Sequence, residues 1–234
     1  MKGKNRISGL ITFANNKGDG WDRPILCDEK IFQIGDAVAM IAADTEEHAK
    51  EAAKKVRLDL EPLPAYMSAP EAMAEDATPL HPDLRKDNVI VHSHLTMGPE
   101  DFTFDEGLRE AEEKYGKENL VVLEREYHTP RISHCHIELP VSWAYQEPGG
   151  KITVTSSTQI PHIVRRVVGQ ALGIGWGKIR VIKPYIGGGF GNKQDVLYEP
   201  LCAWLCVKLG GHLVKLDIPR EDTFVSNRVR HAIR

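Results

Sequence analysis

The sequence predicts an α+β fold in which helices pack on a sheet. An apolar run of strand length at 34–43 is followed by a helical pattern that starts at Asp44. In the second half, two consecutive strand–loop–helix units extend from residue 151 to residue 209. Strands and helices that alternate in this way bury their apolar faces against one another in layers. These observations together indicate a sheet that carries its helices as a packed layer.

Size and charge narrow the class of protein. The chain has 234 residues, of which 41% are hydrophobic and 27% charged, as is typical of a globular protein. A formal net charge of -3 gives no electrostatic reason to expect a nucleic acid partner. No apolar run approaches the roughly 20 residues that span a bilayer, so no membrane partner is expected. The four cysteines form no CxxC pair, so we expect a soluble protein in the reducing cytoplasm.

The first half contains one predicted strand and three predicted helices. The run at 34–43 reads as a strand that is buried on both faces. Asp44 with Glu47 forms a capping pattern, and apolar positions continue with helical spacing to Leu60, before the prolines of 60–65. A short helix near 69–75 and an amphipathic helix at 105–116 lie in a stretch of weaker periodicity.

The second half is predicted to alternate between strands and helices. Strands are expected at 120–128, 141–146, 151–157, 179–186 and 212–218, and Gly149 and Gly150 make the turn between the second and third of these. A helix follows Pro161 with an apolar stripe, and Gly173 closes it. Further helices are expected from about 195 to 209 and from Pro219 onward.

Gly187-Gly188-Gly189-Phe190-Gly191 is the strongest local signal. Four glycines in five residues remove side chains at a strand–helix junction, where the backbone can approach a ligand and its N–H groups can bind oxygen. The loop matches neither standard phosphate motif, because Asn192 replaces the last glycine of a dinucleotide fingerprint and Gln194 follows Lys193 where a P-loop has Ser or Thr. Two interpretations of the loop remain open: a ligand-binding loop, and a tight turn that allows close packing of strand and helix.

Two other segments offer polar side chains. Gln159 ends a predicted strand just before a helix, so its amide could donate to a ligand, although a helix cap or a surface position is the simpler interpretation. On a strand, His134, His136 and Glu138 would point to one face and could form a metal site. A spacing of two along one strand rarely converges on one ion, so a polar interface or a cofactor-lining face is favoured.

Several long motifs resemble one enzyme family. They are SSTQIPHIVRRVVGQALGI (156–174) followed by RVIKPYIGGGFGNKQD (180–195), with support from IGDAVAMIAADTEEHAKEAA (34–53), LEPLPA (60–65) and HCHIEL (134–139). Together they resemble the large, molybdopterin-binding subunit of the xanthine dehydrogenase/aldehyde oxidase family, most like bacterial xanthine dehydrogenases. The resemblance implies an N-terminally incomplete α/β-hammerhead-like domain at 1–75, a connecting segment at 76–118, and the first part of the molybdenum-binding α+β domain, a mixed sheet with packed helices, at 119–234.

The resemblance also implies roles for matched residues. Gln159, Gly188, Gly189, Phe190 and Gly191 would line a molybdenum–molybdopterin cofactor, with Gln159 and Phe190 in the environment of the metal. Gln194 would lie near the substrate, where many xanthine-oxidising relatives carry a glutamate. An amide can hydrogen-bond a heterocycle but cannot act as a carboxylate, so purines, other N-heterocycles and aldehydes all remain open as substrates.

The same resemblance places the rest of the machinery outside this chain. The general base of the family would lie beyond residue 234, so we assign no catalytic residue and expect a fragment that supplies part of the cofactor seat. The expected partners are the remaining large-subunit sequence, an FAD subunit and a 2Fe-2S iron–sulfur subunit, and a homo-oligomer remains open. The alternatives are a truncated, non-catalytic paralogue that binds a partner subunit, and a small phosphate- or nucleotide-binding module.

Overall fold

A computed structural model describes residues 6–7, 23–27, 29–82, 85–95, 98 and 103–233. The elements in chain order are β1 Arg6–Ile7, β2 Arg23–Pro24, α1 Glu46–Ala53, α2 Ala69–Ala72, α3 Phe104–Tyr115, β3 Val141–Gln146, β4 Ile152–Ser156, α4 Pro161–Leu172, β5 Ile179–Ile182, α5 Glu199–Lys208, β6 Val214–Asp217 and α6 Arg220–Ser226. No helix in these ranges combines the length and the apolar character needed to cross a membrane.

The main sheet is mixed, with the strand order β5-β4-β3-β6. β3 and β4 form an antiparallel hairpin with Ser142 opposite Ser156, and β6 pairs antiparallel with the other side of β3. β5 runs parallel to β4, with Ile152 opposite Ile179. Parallel neighbours need a long crossover connection, and α4 provides it here. The predicted α+β fold with a mixed sheet and packed helices is therefore confirmed.

The core lies between this sheet and helices α4 and α5. α4 packs on β5, while α5 packs on β3 and β6, and the two helices contact each other. The apolar stripe predicted for α4 is buried, with Val164, Val167, Val168 and Ala171 at 0% exposure. Gly173 ends the helix in the left-handed region at φ 69, as its position in the sequence predicted. The second half of the chain thus holds most of the buried apolar surface.

The strand predicted at 34–43 is wrong, since the structure has no strand there. Ala37 accepts a backbone hydrogen bond from Cys27, but no ladder forms, because β propensity produces a strand only where a partner strand is available. α1 also differs from its prediction: Thr45 caps it by accepting from the His48 N–H, and it ends at Ala53 instead of continuing to Leu60. Leu60 is 59% exposed, so the apolar positions beyond Ala53 have little to pack against.

The segment 120–128 is also not a strand, although its composition predicted one. Val121 and Leu123 are 82% and 75% exposed. Only its continuation pairs, through isolated bridges that join Thr129 to Ile233 and Ile132 to Arg230. α5 begins at Glu199 instead of about 195, because the 3₁₀ turn at Asn192–Gln194 is followed by an extended backbone at Asp195, with φ -93° and ψ 151°.

The two helices predicted for the middle segment are present. α2 ends three residues earlier than predicted, and α3 begins and ends one residue earlier than predicted. α3 carries a full capping box, in which Thr103 and Glu106 satisfy each other's backbone N–H groups. The domain limits 1–75, 76–118 and 119–234 remain predictions. Most of the first 22 residues of that first domain lie outside the described residues.

We predict that Val154→Ala lowers the free energy of unfolding by about 2 kcal/mol, because it removes two methyl groups from a fully buried site. Urea denaturation of the full chain measures this change. The same substitution at Val121, which is 82% exposed, is the matched control and should change stability by less than about 0.5 kcal/mol. Equal effects of the two substitutions would contradict the placement of the core in β4.

Candidate functional site

Gln159 lies beyond the end of β4, where the chain turns toward α4. Its backbone N–H donates to the Lys193 carbonyl oxygen at 2.9 Å, which ties this turn to the segment after the glycine loop. Its side-chain Oε1 accepts a hydrogen bond from the Gly191 N–H at 3.1 Å. The structure therefore brings together two residues that are 32 positions apart in the sequence.

Gly189 lies against the Gln159 side chain. A Cβ atom built on Gly189 would be 2.6 Å from both Cδ and Oε1 of Gln159, which is closer than real Cβ contacts allow. The flanking Gly188 and Gly191 have φ values of 96° and 86°, in the region that L side chains rarely adopt. Each of these three glycines thus has a steric or conformational reason to be glycine.

Phe190 projects from the loop and is 72% exposed. Its φ of 53° is left-handed, which costs a non-glycine residue roughly 1–2 kcal/mol. A strained residue of this kind persists only where the surrounding structure holds it, and such residues cluster at functional sites. The loop therefore keeps an exposed aromatic ring at an energetic cost, and the edge of this ring lies over Gly188, where a built Cβ would be 3.2 Å from the ring.

The hydrogen-bond donors at this site are neutral and close together. Among the described residues, the N–H groups of Gly188, Gly189 and Phe190 and the Nε2 group of Gln159 make no hydrogen bond. Backbone and amide donors of this kind suit a ligand rich in oxygen or nitrogen acceptors. This set of neutral donors fits a molybdopterin-type cofactor.

Glu138 closes the base of the glycine loop. Its carboxylate Oε2 accepts from the Gly187 N–H at 2.8 Å and from the Lys193 ammonium, and its own N–H donates to the Gly187 carbonyl oxygen at 3.1 Å. Burial by itself would raise the pKa of the Glu138 carboxyl, but the Lys193 and Gly187 hydrogen bonds outweigh it and hold that pKa below 4.5. The group is therefore a carboxylate at neutral pH.

The segment around His136 is a polar scaffold and not a metal site. It is irregular, so the strand geometry assumed for His134, His136 and Glu138 is wrong. His136 is buried, and its Nδ1 and Nε2 face the Glu138 carbonyl oxygen at 2.5 Å and Asn192 Oδ1 at 2.9 Å. With both ring nitrogens engaged and the Glu138 carboxylate paired, these side chains cannot converge on an ion. The described part of the chain has no group of three His, Cys, Asp or Glu residues able to hold a metal.

Sequence reasoning missed the structural importance of Glu138, Asn192 and Lys193. Lys193 and Asn192 are 4% and 3% exposed, although they follow the loop in a region that appears polar. The position of Lys193 shortly after the glycines was a usable signal, because a charged side chain there must either reach solvent or pair with an opposite charge. No periodicity in the sequence distinguished these two outcomes.

Gln194 ends the 3₁₀ turn after the loop and is half-buried. Its backbone N–H donates to the Gly191 carbonyl oxygen at 3.3 Å, so it is held close to the glycines by the turn itself. The structure therefore places the predicted substrate-proximal residue beside the predicted cofactor loop. Its role toward a substrate remains a prediction.

Glu199 is a buried ionisable residue that contacts the last residue of β4. The Ser156 hydroxyl donates to its Oε1 at 2.7 Å, while Oε2 is buried without a hydrogen-bond partner. Burial raises the pKa of the Glu199 carboxyl above its ordinary value of 4.5, and the Ser156 hydrogen bond only partly opposes this shift. Folding thus shifts the Glu199 carboxyl toward its protonated form relative to the unfolded chain.

Comparison with known families identifies two domains in the chain. Residues 85–234 match the molybdopterin cofactor-binding domain, and residues 5–64 match the a/b hammerhead domain of aldehyde oxidase and xanthine dehydrogenase. The chain is 44% identical over 221 residues to a xanthine dehydrogenase molybdenum-binding subunit of Escherichia coli, covering 94% of this chain and 27% of that protein. It is 40% identical over 210 residues to an aldehyde oxidoreductase of Megalodesulfovibrio gigas, covering 90% of this chain and 22% of the relative.

The fold is similar to that of a solved relative. The aldehyde oxidoreductase from Desulfovibrio desulfuricans superposes with a TM-score of 0.81 at 39% identity, covering 99% of this chain and 24% of that one. The chain therefore spans about a quarter of the length of the relatives that it matches. Its similarity is to one region of these larger proteins.

We predict that Gly189→Ala breaks the contact between the loop and Gln159, because the new methyl group would overlap the carboxamide. The free energy of unfolding should fall by about 1–3 kcal/mol, and the Gly191 amide should lose its protection from hydrogen exchange. Gly149→Ala is the matched control, since a Cβ there meets nothing within 4 Å. A Gly189→Ala variant with wild-type Gly191 exchange would refute the close approach.

We predict that Glu199→Gln stabilises the protein increasingly as the pH rises. A carboxyl whose pKa is raised by folding contributes stability below its ordinary pKa of 4.5 and loses that contribution as the pH rises through the folded value. Urea denaturation between about pH 5 and about pH 8 measures the difference between variant and wild type. A difference that does not change over this range would contradict the raised pKa.

Glu147→Gln is the control of opposite sign. The Thr153 hydroxyl lowers the pKa of the Glu147 carboxyl, so its contribution to stability is lost only as the pH falls below 4.5. Its effect should stay constant over the same range of pH.

Proposed function

This chain belongs to the xanthine dehydrogenase/aldehyde oxidase family, with a molybdopterin cofactor-binding domain, and from that premise we propose that it forms part of the cofactor seat in the molybdenum-binding subunit of a hydroxylase. The contact between Gln159 and the glycine loop carries the proposal. Two distant motifs meet through the Gly191–Gln159 hydrogen bond and present neutral donors on one surface. A tight turn alone would not require Gly189 to lie against an amide side chain.

The residues of this chain would bind and orient the cofactor. Gln159 would donate through Nε2 in the environment of the molybdenum, and the N–H groups of Gly188, Gly189 and Phe190 would hold acceptor atoms of the group. Phe190 would cover one side and keep water away from it. When bound, the molybdenum–molybdopterin cofactor would supply the redox chemistry of hydroxylation. We assign no general base to this chain.

The substrate class that we propose is a purine, another N-heterocycle or an aldehyde. Support comes from Gln194, which the 3₁₀ turn holds next to the loop. A carboxamide both donates and accepts hydrogen bonds, so it can recognise a heterocycle without charge. The E. coli relative is named for xanthine and the M. gigas relative for aldehyde oxidation, and both are similar to this chain across the site region.

The remaining sequence of the large subunit is the first partner that we propose. Large apolar side chains remain exposed in the segment 120–128, and Tyr185 and Ile137 near the loop are 102% and 92% exposed. Several exposed large apolar side chains within one segment favour an interaction site there. The relatives are about four times longer than this chain, so a polypeptide of the family has enough further sequence to cover these side chains.

We include an FAD subunit and a 2Fe-2S subunit in the proposal as carriers of the electrons. The E. coli relative is named as a subunit, which supports an assembly of several chains. A cytoplasmic location belongs to the same proposal, and the absence of a disulfide among the four cysteines is consistent with it.

Metal and pterin analysis tests the proposed function. We expect the assembled large subunit, purified from cells that make the cofactor, to contain molybdenum and pterin. Gln159→Ala should weaken cofactor retention by about tenfold or more, as the loss of supporting hydrogen bonds does at other metal centres. Molybdenum is measured by mass spectrometry and released pterin by its fluorescence.

Gln146→Ala is the matched control for this experiment. Gln146 lies at the opposite end of the β3–β4 hairpin, where its amide bonds to the Gly150 carbonyl oxygen. This variant should retain the wild-type content of metal and pterin. An assembly that contains neither metal nor pterin would refute the proposed function and favour the truncated, non-catalytic paralogue.

A further inference from the structure

We propose that Glu138 is a positioning residue, which sets the conformation of the glycine loop by holding both of its ends. The inference rests on the proposed function, because the loop is the part that would receive the cofactor. Glu138 lies about 50 residues before the loop and shows no sign of this role in the sequence.

One carboxylate oxygen reaches the entry and the exit of the loop. Glu138 Oε2 accepts from the Gly187 N–H at 2.8 Å, and the same atom contacts the Lys193 ammonium. The backbone supplies a second connection at the entry, where the Glu138 N–H donates to the Gly187 carbonyl oxygen at 3.1 Å. The distance between Gly187 and Lys193 is therefore limited by what one carboxylate can bridge.

The close packing at Gly187 explains why the carboxylate can reach both groups. A Cβ built on Gly187 would lie 2.7 Å from the Glu138 Cβ atom. A side chain at 187 would thus push Glu138 away from the loop. Gly187 is therefore required by its contact with Glu138, as Gly189 is required by its contact with Gln159.

Lys193 extends the clamp to the other wall of the site. Its carbonyl oxygen accepts from the Gln159 N–H at 2.9 Å, while its ammonium is held by Glu138. The main chain and the side chain of Lys193 thus fix Gln159 and the loop relative to each other. This relation keeps Gln159 Oε1 within hydrogen-bonding distance of the Gly191 N–H.

Burial makes this arrangement specific. The Lys193 side chain is only 2% exposed, and a buried ammonium without its carboxylate would be strongly unfavourable. A looser loop would separate the two charges, so the closed conformation is favoured over open ones. The strained φ of 53° at Phe190 is then maintained by groups outside the strained residue.

Hydrogen exchange in the full chain tests the inference without any cofactor. We expect Glu138→Ala to speed exchange of the Gly191 and Asn192 amides by about tenfold or more, although neither amide touches Glu138. Amides of β4 provide the internal reference for global opening. Unchanged exchange at Gly191 and Asn192 would overturn the inference.

A double variant separates positioning from simple loss of stability. Glu138→Ala with Lys193→Met removes the stranded charge, so the urea midpoint should recover relative to Glu138→Ala alone. Exchange at Gly191 should nevertheless remain fast, because the clamp is still missing. Recovery of both quantities together would show that Glu138 acts only through stability and would overturn the inference.

Glu147→Ala is the matched control. Like Glu138, Glu147 forms an ion pair, with Arg180, and accepts a second hydrogen bond, from the Thr153 hydroxyl, but it lies at the opposite end of β4 from Gln159. It should leave Gly191 exchange at the wild-type rate. In the assembled protein, Glu138→Ala should lower the pterin content, while Glu147→Ala should not. A wild-type assembly without pterin would refute the proposed function alone, whereas normal pterin retention and normal exchange in Glu138→Ala would refute only the positioning role.

Discussion

The Lys193 ammonium lies almost entirely out of water, so its charge has to be compensated where it lies, and the Glu138 carboxylate provides that compensation. The ion pair affects the whole site, because Glu138 and Lys193 each make further hydrogen bonds. Glu138 also binds the first glycine of the loop, and Lys193 also accepts from Gln159. This one ion pair, with a buried ammonium and a partly exposed carboxylate, thus couples the end of β4, the glycine loop and the segment around His136.

The resulting surface is unusual because its available donors carry no charge. Lys193 and Glu138 balance each other's charge at the base of the loop, and the amide and backbone N–H groups that make no hydrogen bond there are neutral. A surface of neutral donors can bind a cofactor that supplies its own charge and chemistry. None of these donors has to gain or lose a proton for that binding. The glycines, which lack side chains, and the exposed Phe190 ring then determine the shape of this surface.

Burial is distributed unevenly along the chain. β3 to β6 with α4 and α5 form a packed core, whereas the segment 120–128 and the region near Leu60 expose apolar side chains. Sequence patterns in these exposed regions predicted a strand and a longer helix, and both predictions were wrong for the same reason. Apolar residues form regular structure only where another surface completes their burial. The structure of these two exposed regions therefore depends most on contacts with another surface.

The sequence by itself determined the elements whose signals are local. Gly173 ends α4, Thr103 and Glu106 cap α3, and the apolar stripe of α4 faces the core, because each signal acts within one or two helical turns. It also identified Gln159 and the glycine loop as the segments to watch. Only the tertiary structure decided that they touch, that His136 faces Asn192, and that Glu138 pairs with Lys193. These contacts join residues that are 32 to 56 positions apart, and such pairings depend on how the sheet and helices pack, which no local pattern encodes.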